Sequence, residues 1–280
     1  MALDDPIDLV ATLRPLVRGQ GDRTIRLRPS QAWWTLRTGD GPATVVIRME
    51  PARLVAEAVG PGARTALTRV PDLVGATHGS PAPSDLDARP SAAGRIVTAL
   101  ARRHPGVRIP RTRSVMDALV PAILEQKITG EEARRVWHAM VRELGEDAPG
   151  EAGAGLRLTP DPRRLAALPY HAFHPFGLER RRAELIRSLA ARADWVEGLA
   201  DRPPAEAAAA LQAIPGIGPW TVAEVAVRAW GDADAVSVGD VHLPSMVAFT
   251  LAGAVLLWVF GPVLRRKLDA LDARAKEIEA

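Results

Sequence analysis

Leu211-Gln-Ala-Ile-Pro-Gly-Ile-Gly-Pro-Trp-Thr221 sets two apolar helical runs on either side of a Pro-Gly-x-Gly turn, and Asp240 follows nineteen residues later. Glycine at 216 and 218 admits positive φ and lets an anion approach the backbone with no Cβ in the way. A helix beginning just beyond adds unpaired N–H groups and partial positive charge. Pro219 suits its first turn, having no N–H to leave unsatisfied. The result is a backbone that presents bare amides to an anion, with a carboxylate opening the next helical segment. A DNA phosphate is the anion that fits best. Taken alone, a Pro-Gly-x-Gly turn also makes a plain αα-hairpin, and the full string is what sharpens the reading.

At 280 residues the chain is long enough for two domains, each with its own core. Lys and Arg number 36 against 33 Asp and Glu, a net charge of +3 and a pI near 9.9, which by itself is weak support for a polyanion partner. Arginine dominates and clusters, as suits bidentate phosphate contacts, although a GC-rich genome yields the same richness. The absence of cysteine excludes disulfides, thiolate catalysis, zinc–thiolate sites and iron–sulfur clusters. Six histidines show no metal-ligand spacing such as HExxH. The start, Met1-Ala-Leu-Asp-Asp-Pro6, is acidic without an apolar core, so no signal peptide and a cytoplasmic setting are expected.

Residues 22–49 read as strands. Thr24–Arg28 alternates apolar and basic residues, Trp33-Trp-Thr-Leu36 is aromatic, Ala43–Arg48 is β-branched, and Thr38-Gly-Asp-Gly-Pro42 is turn chemistry. Pro51–Val59 is expected as a short helix with proline in its first turn. A β-rich domain over 1–83 then ends in the Gly/Pro/Ser stretch Gly75–Ser84. From about Ser84 the periodicity turns helical, with candidate helices at 91–104, 114–128, 130–144, 161–168, 179–192, 204–213, 219–230 and 240–252. Ser84 and Thr129 are N-terminal helix signals, and Gly145–Leu156 is expected as a surface loop. The fold class is thus α+β, a mostly α-helical domain over 84–252 behind a small β-rich one. The tail over 253–280 stands apart. Met246–Leu264 is nineteen residues without charge, closed by Arg265-Arg-Lys267, which meets the minimum for a membrane span. A buried helix interrupted by Gly253 or Gly261-Pro262 is the other reading.

Four stretches carry a family resemblance. Ile214–Thr221 resembles the hairpin of the helix-hairpin-helix DNA glycosylases, and Val238-Gly-Asp-Val-His-Leu-Pro244 the segment bearing that superfamily's catalytic aspartate. Ala122-Ile-Leu-Glu-Gln-Lys-Ile-Thr129 is similar to the helix and turn that enter DNA at the lesion, and Pro175–Ala183 to the basic helix before the hairpin. The first 80 residues resemble the extra N-terminal domain of the DNA-3-methyladenine glycosylase II branch, so the resemblance runs from about 20 to 252. The tail, 254–280, resembles the membrane exit of the ATP synthase b subunit.

The resemblance implies excision of a flipped, alkylated purine from double-stranded DNA by a monomer, with Asp240 as the catalytic carboxylate beside C1′. An Asp there also serves as a helix N-cap. Lyase members carry a lysine where this chain has Trp220, so a monofunctional enzyme is implied. Gly216, Gly218, Thr221, Gln126 and Lys127 would bind DNA. Lys127 replaces the apolar wedge that relatives insert, with Gln126 or Ile128 as alternatives. Trp220 and Tyr170 would form the base pocket, with Trp137 and Phe173 as looser candidates. Arg180, Arg181, Arg182 and Arg187 track a phosphate backbone or face solvent. No cofactor is implied beyond a candidate monovalent cation at the hairpin backbone. Two alternatives stay open. One is a non-catalytic helix-hairpin-helix DNA-binding protein; the other is a membrane-tethered protein anchored through 246–264, with a membrane or partner helix for its tail.

Overall fold

Residues 25–59 pair into one antiparallel sheet, and alternation along its strands puts Ile25, Trp34, Leu36, Val45, Ile47 and Leu54 on one face. In a computed structural model of the chain, residues 1, 6–51, 53–77 and 92–240 are described. Strands β1 (Ile25–Arg28), β2 (Gln31–Thr38), β3 (Gly41–Glu50) and β4 (Arg53–Val59) follow one another as a meander. Trp34 lies opposite Val45, Leu36 opposite Ala43 and Ile47 opposite Ala56, and this face is buried. Helices α1 (Leu9–Leu13), α2 (Ala63–Thr68) and α3 (Val70–Leu73) add Leu13, Ala66, Val70 and Leu73 to the same core.

The helix expected over 51–59 is instead β4, paired with β3 from Glu50–Arg53 to Thr44–Val59. Its alanines suit a helix, but seven residues are too few to hold one alone, and the open edge of β3 satisfies the backbone instead.

The helical core surrounds α5 (Val115–Leu124), whose residues are almost all buried. Around it pack α6 (Gly130–Leu144), α8 (Arg180–Ala190), α9 (Ala193–Gly198) and α11 (Pro219–Val225, continued by a π turn over Ala226–Trp230). The short α7 (Pro162–Ala167) and α10 (Pro204–Gln212) complete the shell, and α4 spans Ala92–Arg103. Thr129 caps α6 as its sequence suggested, its hydroxyl oxygen accepting from the Glu132 amide at 3.2 Å.

Gly145–Leu156 lies largely at the surface, as expected of a loop, but it is pinned at several points. Arg157 just beyond it donates to the carbonyls of Val141 and Gly145, Thr44 donates to the Pro149 carbonyl, and Leu156 is buried. These partners come from the sheet and from α6, out of reach of a local reading.

By backbone contacts the chain forms two units, Met1–Ser80 with His104–Val238, and Pro81–Arg103 with Gly239–Ala280. The sheet and the helical core lie in the first, and the described part of the second is α4 with Gly239 and Asp240. Ser84, all but the first residue of the helix expected over 240–252, and the tail with its apolar run over 246–264 lie outside the described residues. Among the described residues no helix is long and apolar enough to cross a membrane.

Candidate active site and nucleic-acid interface

The hairpin is a tight link between α10 and α11. The Ile217 amide donates to the Ile214 carbonyl at 3.0 Å, and the Ile217 side chain is buried beneath the turn. Its two glycines do different things. Gly216 has φ +97, so the backbone favours glycine there, and a Cβ would press on Leu185 Cδ2 at 3.1 Å. Gly218 is extended (φ −94, ψ 173) and caps α11, with Pro219 following at its start. A Cβ on Gly218 would meet nothing within 4 Å. The first glycine makes the turn, and the second leaves open space above the helix start.

α5 ends against this hairpin. The Gln126 carboxamide donates from Nε2 to the Gly216 carbonyl and to the Thr221 hydroxyl oxygen, both at 3.0 Å. Gln126 and Thr221 were both expected on DNA. Thr221 is only 2% exposed, and its side chain braces the hairpin from within. Arg182 donates to the Leu124 carbonyl at 3.0 Å, and Arg18 pairs with Glu125 at 3.0 Å. Lys127 follows, exposed and in the left-handed region at φ +58.

The arginines before the hairpin divide. Arg182 is committed to Leu124 and Glu179, and Arg187 pairs with Glu184 at 2.7 Å. Arg181 is exposed, and the Arg180 guanidinium lies over the Tyr170 ring, 4.8 Å from its centroid. Tyr170 is half-buried and also meets His171 and His174 edge-on. Trp220 is half-buried, whereas Trp137 and Phe173 are interior residues of the helical core.

Past the π turn, the Ser237 hydroxyl donates to Glu224 at 2.6 Å, and the same carboxylate takes Arg228 at 2.6 Å. Ser237 thereby ties its own segment onto the hairpin's second helix. Gly239 is left-handed at φ +88 and Asp240 is half-buried.

Electrostatics gather at the other end of α5. Glu197 on α9 accepts the amides of Val115 and Met116 at 3.0 and 2.9 Å, capping the helix from across the core. Removal from water, and then the charge of Asp117, push the Glu197 carboxyl up to about 7. Burial likewise raises Asp117, against a hydrogen bond from Thr159. Beneath the sheet, a cavity of about 50 Å³ is lined by Arg18, Thr35, Thr112, Asp117, Trp137 and Arg228. That is room for roughly three waters, consistent with the unpartnered indole N–H of the buried Trp137. Among the described residues no cluster of His, Asp or Glu has the makings of a metal site.

Arg182, expected on a phosphate backbone or facing solvent, turns instead to the Leu124 carbonyl, and Glu197 and Glu224 escaped the sequence reading altogether. Each is a charged residue on a helix, where the pattern suggests a solvated face, and nothing local marks its distant partner.

No family model matches the chain. The Mycobacterium tuberculosis probable bifunctional transcriptional activator/DNA repair enzyme AlkA is 32% identical over 179 residues, which cover 61% of this chain and 36% of that protein. The Escherichia coli DNA-3-methyladenine glycosylase 2 is 31% identical over 167 residues, 57% of this chain and 55% of that protein. The chain therefore spans between about a third and about half the length of these curated relatives. Among solved structures, a 3-methyladenine DNA-glycosylase from Archaeoglobus fulgidus superposes with a TM-score of 0.71 at 18% identity, covering 92% of this chain and 90% of that one. A Clostridium acetobutylicum 8-oxoguanine glycosylase/lyase in complex with DNA gives 0.61 at 12% identity, covering 87% and 80%. At such identities the structural likeness shows a shared fold.

Proposed function

We propose that the chain is a helix-hairpin-helix DNA glycosylase, as its similarity to the curated relatives supports, and that it hydrolyses the N-glycosidic bond of alkylated purines flipped out of double-stranded DNA. The observation that carries this reading is the hairpin itself. A left-handed Gly216 shapes the turn, an unobstructed Gly218 opens α11, and an exposed Lys127 stands on the braced end of α5.

In this reading a phosphate of the DNA backbone sits at the hairpin amides, drawn by the helix start, and Lys127 and Arg181 meet the strand electrostatically. The damaged purine leaves with the electron pair of the C1′–N bond, and its own positive charge makes it a good leaving group. Asp240 stabilises the charge that develops on the sugar and orients the water that adds to C1′. Trp220, standing where a lyase would place its amine, leaves base release to water, so the enzyme is monofunctional. Trp220 and Tyr170 wall the base. A cationic purine would exchange with Arg180 over the Tyr170 ring, one cation for another. No step is assigned to a cofactor. The enzyme acts as a monomer in the cytoplasm, where its DNA is.

The test is release of methylated purines from a duplex by the wild type and by Asp240→Asn. We expect base release to fall by about a thousandfold with duplex affinity retained. Duplex binding by the wild type with no base release at all would make the protein a DNA-binding module.

A further inference from the structure

Lysine is nearly absent from this chain. Of 36 Lys and Arg residues, Lys127, Lys267 and Lys276 are the lysines, so Lys127 is the one lysine before residue 267. Elsewhere, where a positive charge is wanted, arginine supplies it. The exception falls at the tip of α5, in the turn that faces the hairpin.

Its setting is as unusual as its identity. Lys127 is exposed, with no hydrogen bond or ion pair among the described residues, and its φ of +58 is one that side chains other than glycine rarely adopt. Arg113, the other such residue, is held by Asp72 and Asp201. Lys127 is held instead by its predecessors, through Arg182 on the Leu124 carbonyl, Arg18 on Glu125, and Gln126 on the hairpin. A left-handed lysine costs roughly 1–2 kcal/mol, and this one is an exposed amine on a rigid base. Strain of this kind collects at functional sites.

A primary amine does one thing that a guanidinium does not: it adds to a carbonyl and expels water. Loss of a base leaves a deoxyribose whose ring-opened form carries an aldehyde at C1′. We propose that Lys127 Nζ captures this aldehyde as a Schiff base after the base has left, holding the abasic product. The proposal rests on the glycosylase reading above. The lone pair of the unprotonated amine adds to C1′, giving a carbinolamine. Its hydroxyl then leaves as water with a hydrogen from nitrogen, and a C1′–Nζ double bond remains. Addition of water reverses the step and frees the product. No oxidant or reductant is consumed. Base release itself stays hydrolytic, so the amine acts on the product and not on the damaged nucleotide.

The experiment uses the full chain and a duplex bearing a preformed abasic site, made by enzymatic removal of uracil, so that no glycosylase activity of this protein is needed. Cyanoborohydride reduces any imine to a stable amine, and the adduct is read on a denaturing gel and mapped by peptide mass spectrometry. The mapped adduct should lie on Lys127. With binding saturated, as followed by fluorescence anisotropy, Lys127→Arg should lower the trapped fraction by about tenfold or more, because the charge survives and the amine does not. No adduct, an adduct on the Met1 amine, Lys267 or Lys276, or unchanged trapping by Lys127→Arg would overturn the proposal. Failure of the glycosylase reading shows separately, as absence of base release from methylated duplex.

Discussion

Gly216 and Gly218 stand two residues apart and answer to different forces. Gly216→Ala forces a side chain into the left-handed region against Leu185, at a cost of about 1–2 kcal/mol. A lower midpoint of thermal unfolding is expected. At Gly218 the backbone is extended and the space open, so Ala should leave the midpoint nearly unchanged. It should still weaken duplex binding several-fold, because a methyl group then stands where a phosphate oxygen approaches. Measuring both quantities on both variants separates the roles; equal loss of stability would contradict the division. The sequence made the pair conspicuous but did not say which glycine served the fold, since that depends on Leu185 from another helix.

Helix α5 behaves as a rod fixed at both ends, with Glu197 on its first amides and Gln126 beyond its last turn. Gln126→Ala removes both donors to the hairpin and leaves the Gly216 carbonyl short of a partner, worth about 1–2 kcal/mol. Thermal unfolding should register that loss, and duplex affinity should fall with it, because the hairpin amides and the Lys127 turn are no longer held in one frame. Unchanged affinity would mean that the hairpin needs no brace. Elements with strong local signals, such as α6 behind its Thr129 cap, read correctly from sequence. β4 did not, because an alanine-rich heptad becomes a strand only when an edge is waiting for it.

At the scale of the molecule, Glu197 and Asp117 place two carboxyls where the sheet and helices exclude water. The Glu197 carboxyl titrates near 7 in the fold against 4.5 for the ordinary group, so between those values the native state keeps a proton that the unfolded chain has lost. Stability is therefore full below about pH 4.5 and declines as pH rises through 7, by up to about 3 kcal/mol. Glu197→Gln should remove its own share of that decline in a plot of unfolding midpoint against pH, leaving the slope that comes from Asp117, which burial shifts the same way. A wild-type midpoint that rises steadily from pH 5 to 7 would contradict the sign.

By itself the sequence determined the α+β class and the hairpin, because glycine, proline and apolar spacing act within a few residues of where they stand, while Asp240 became a candidate through the family resemblance. Tertiary structure decided what local chemistry leaves open. It turned 53–59 into a strand, folded Gln126 and Thr221 inward, and set Glu197 on the start of α5. The strand hangs on the neighbouring edge of β3, and the other outcomes on contacts between residues 81 to 95 positions apart, as in Glu197 with Met116 and Gln126 with Thr221. A buried donor or carboxylate takes whichever partner the packing brings within reach, and that choice is made only once the chain has folded.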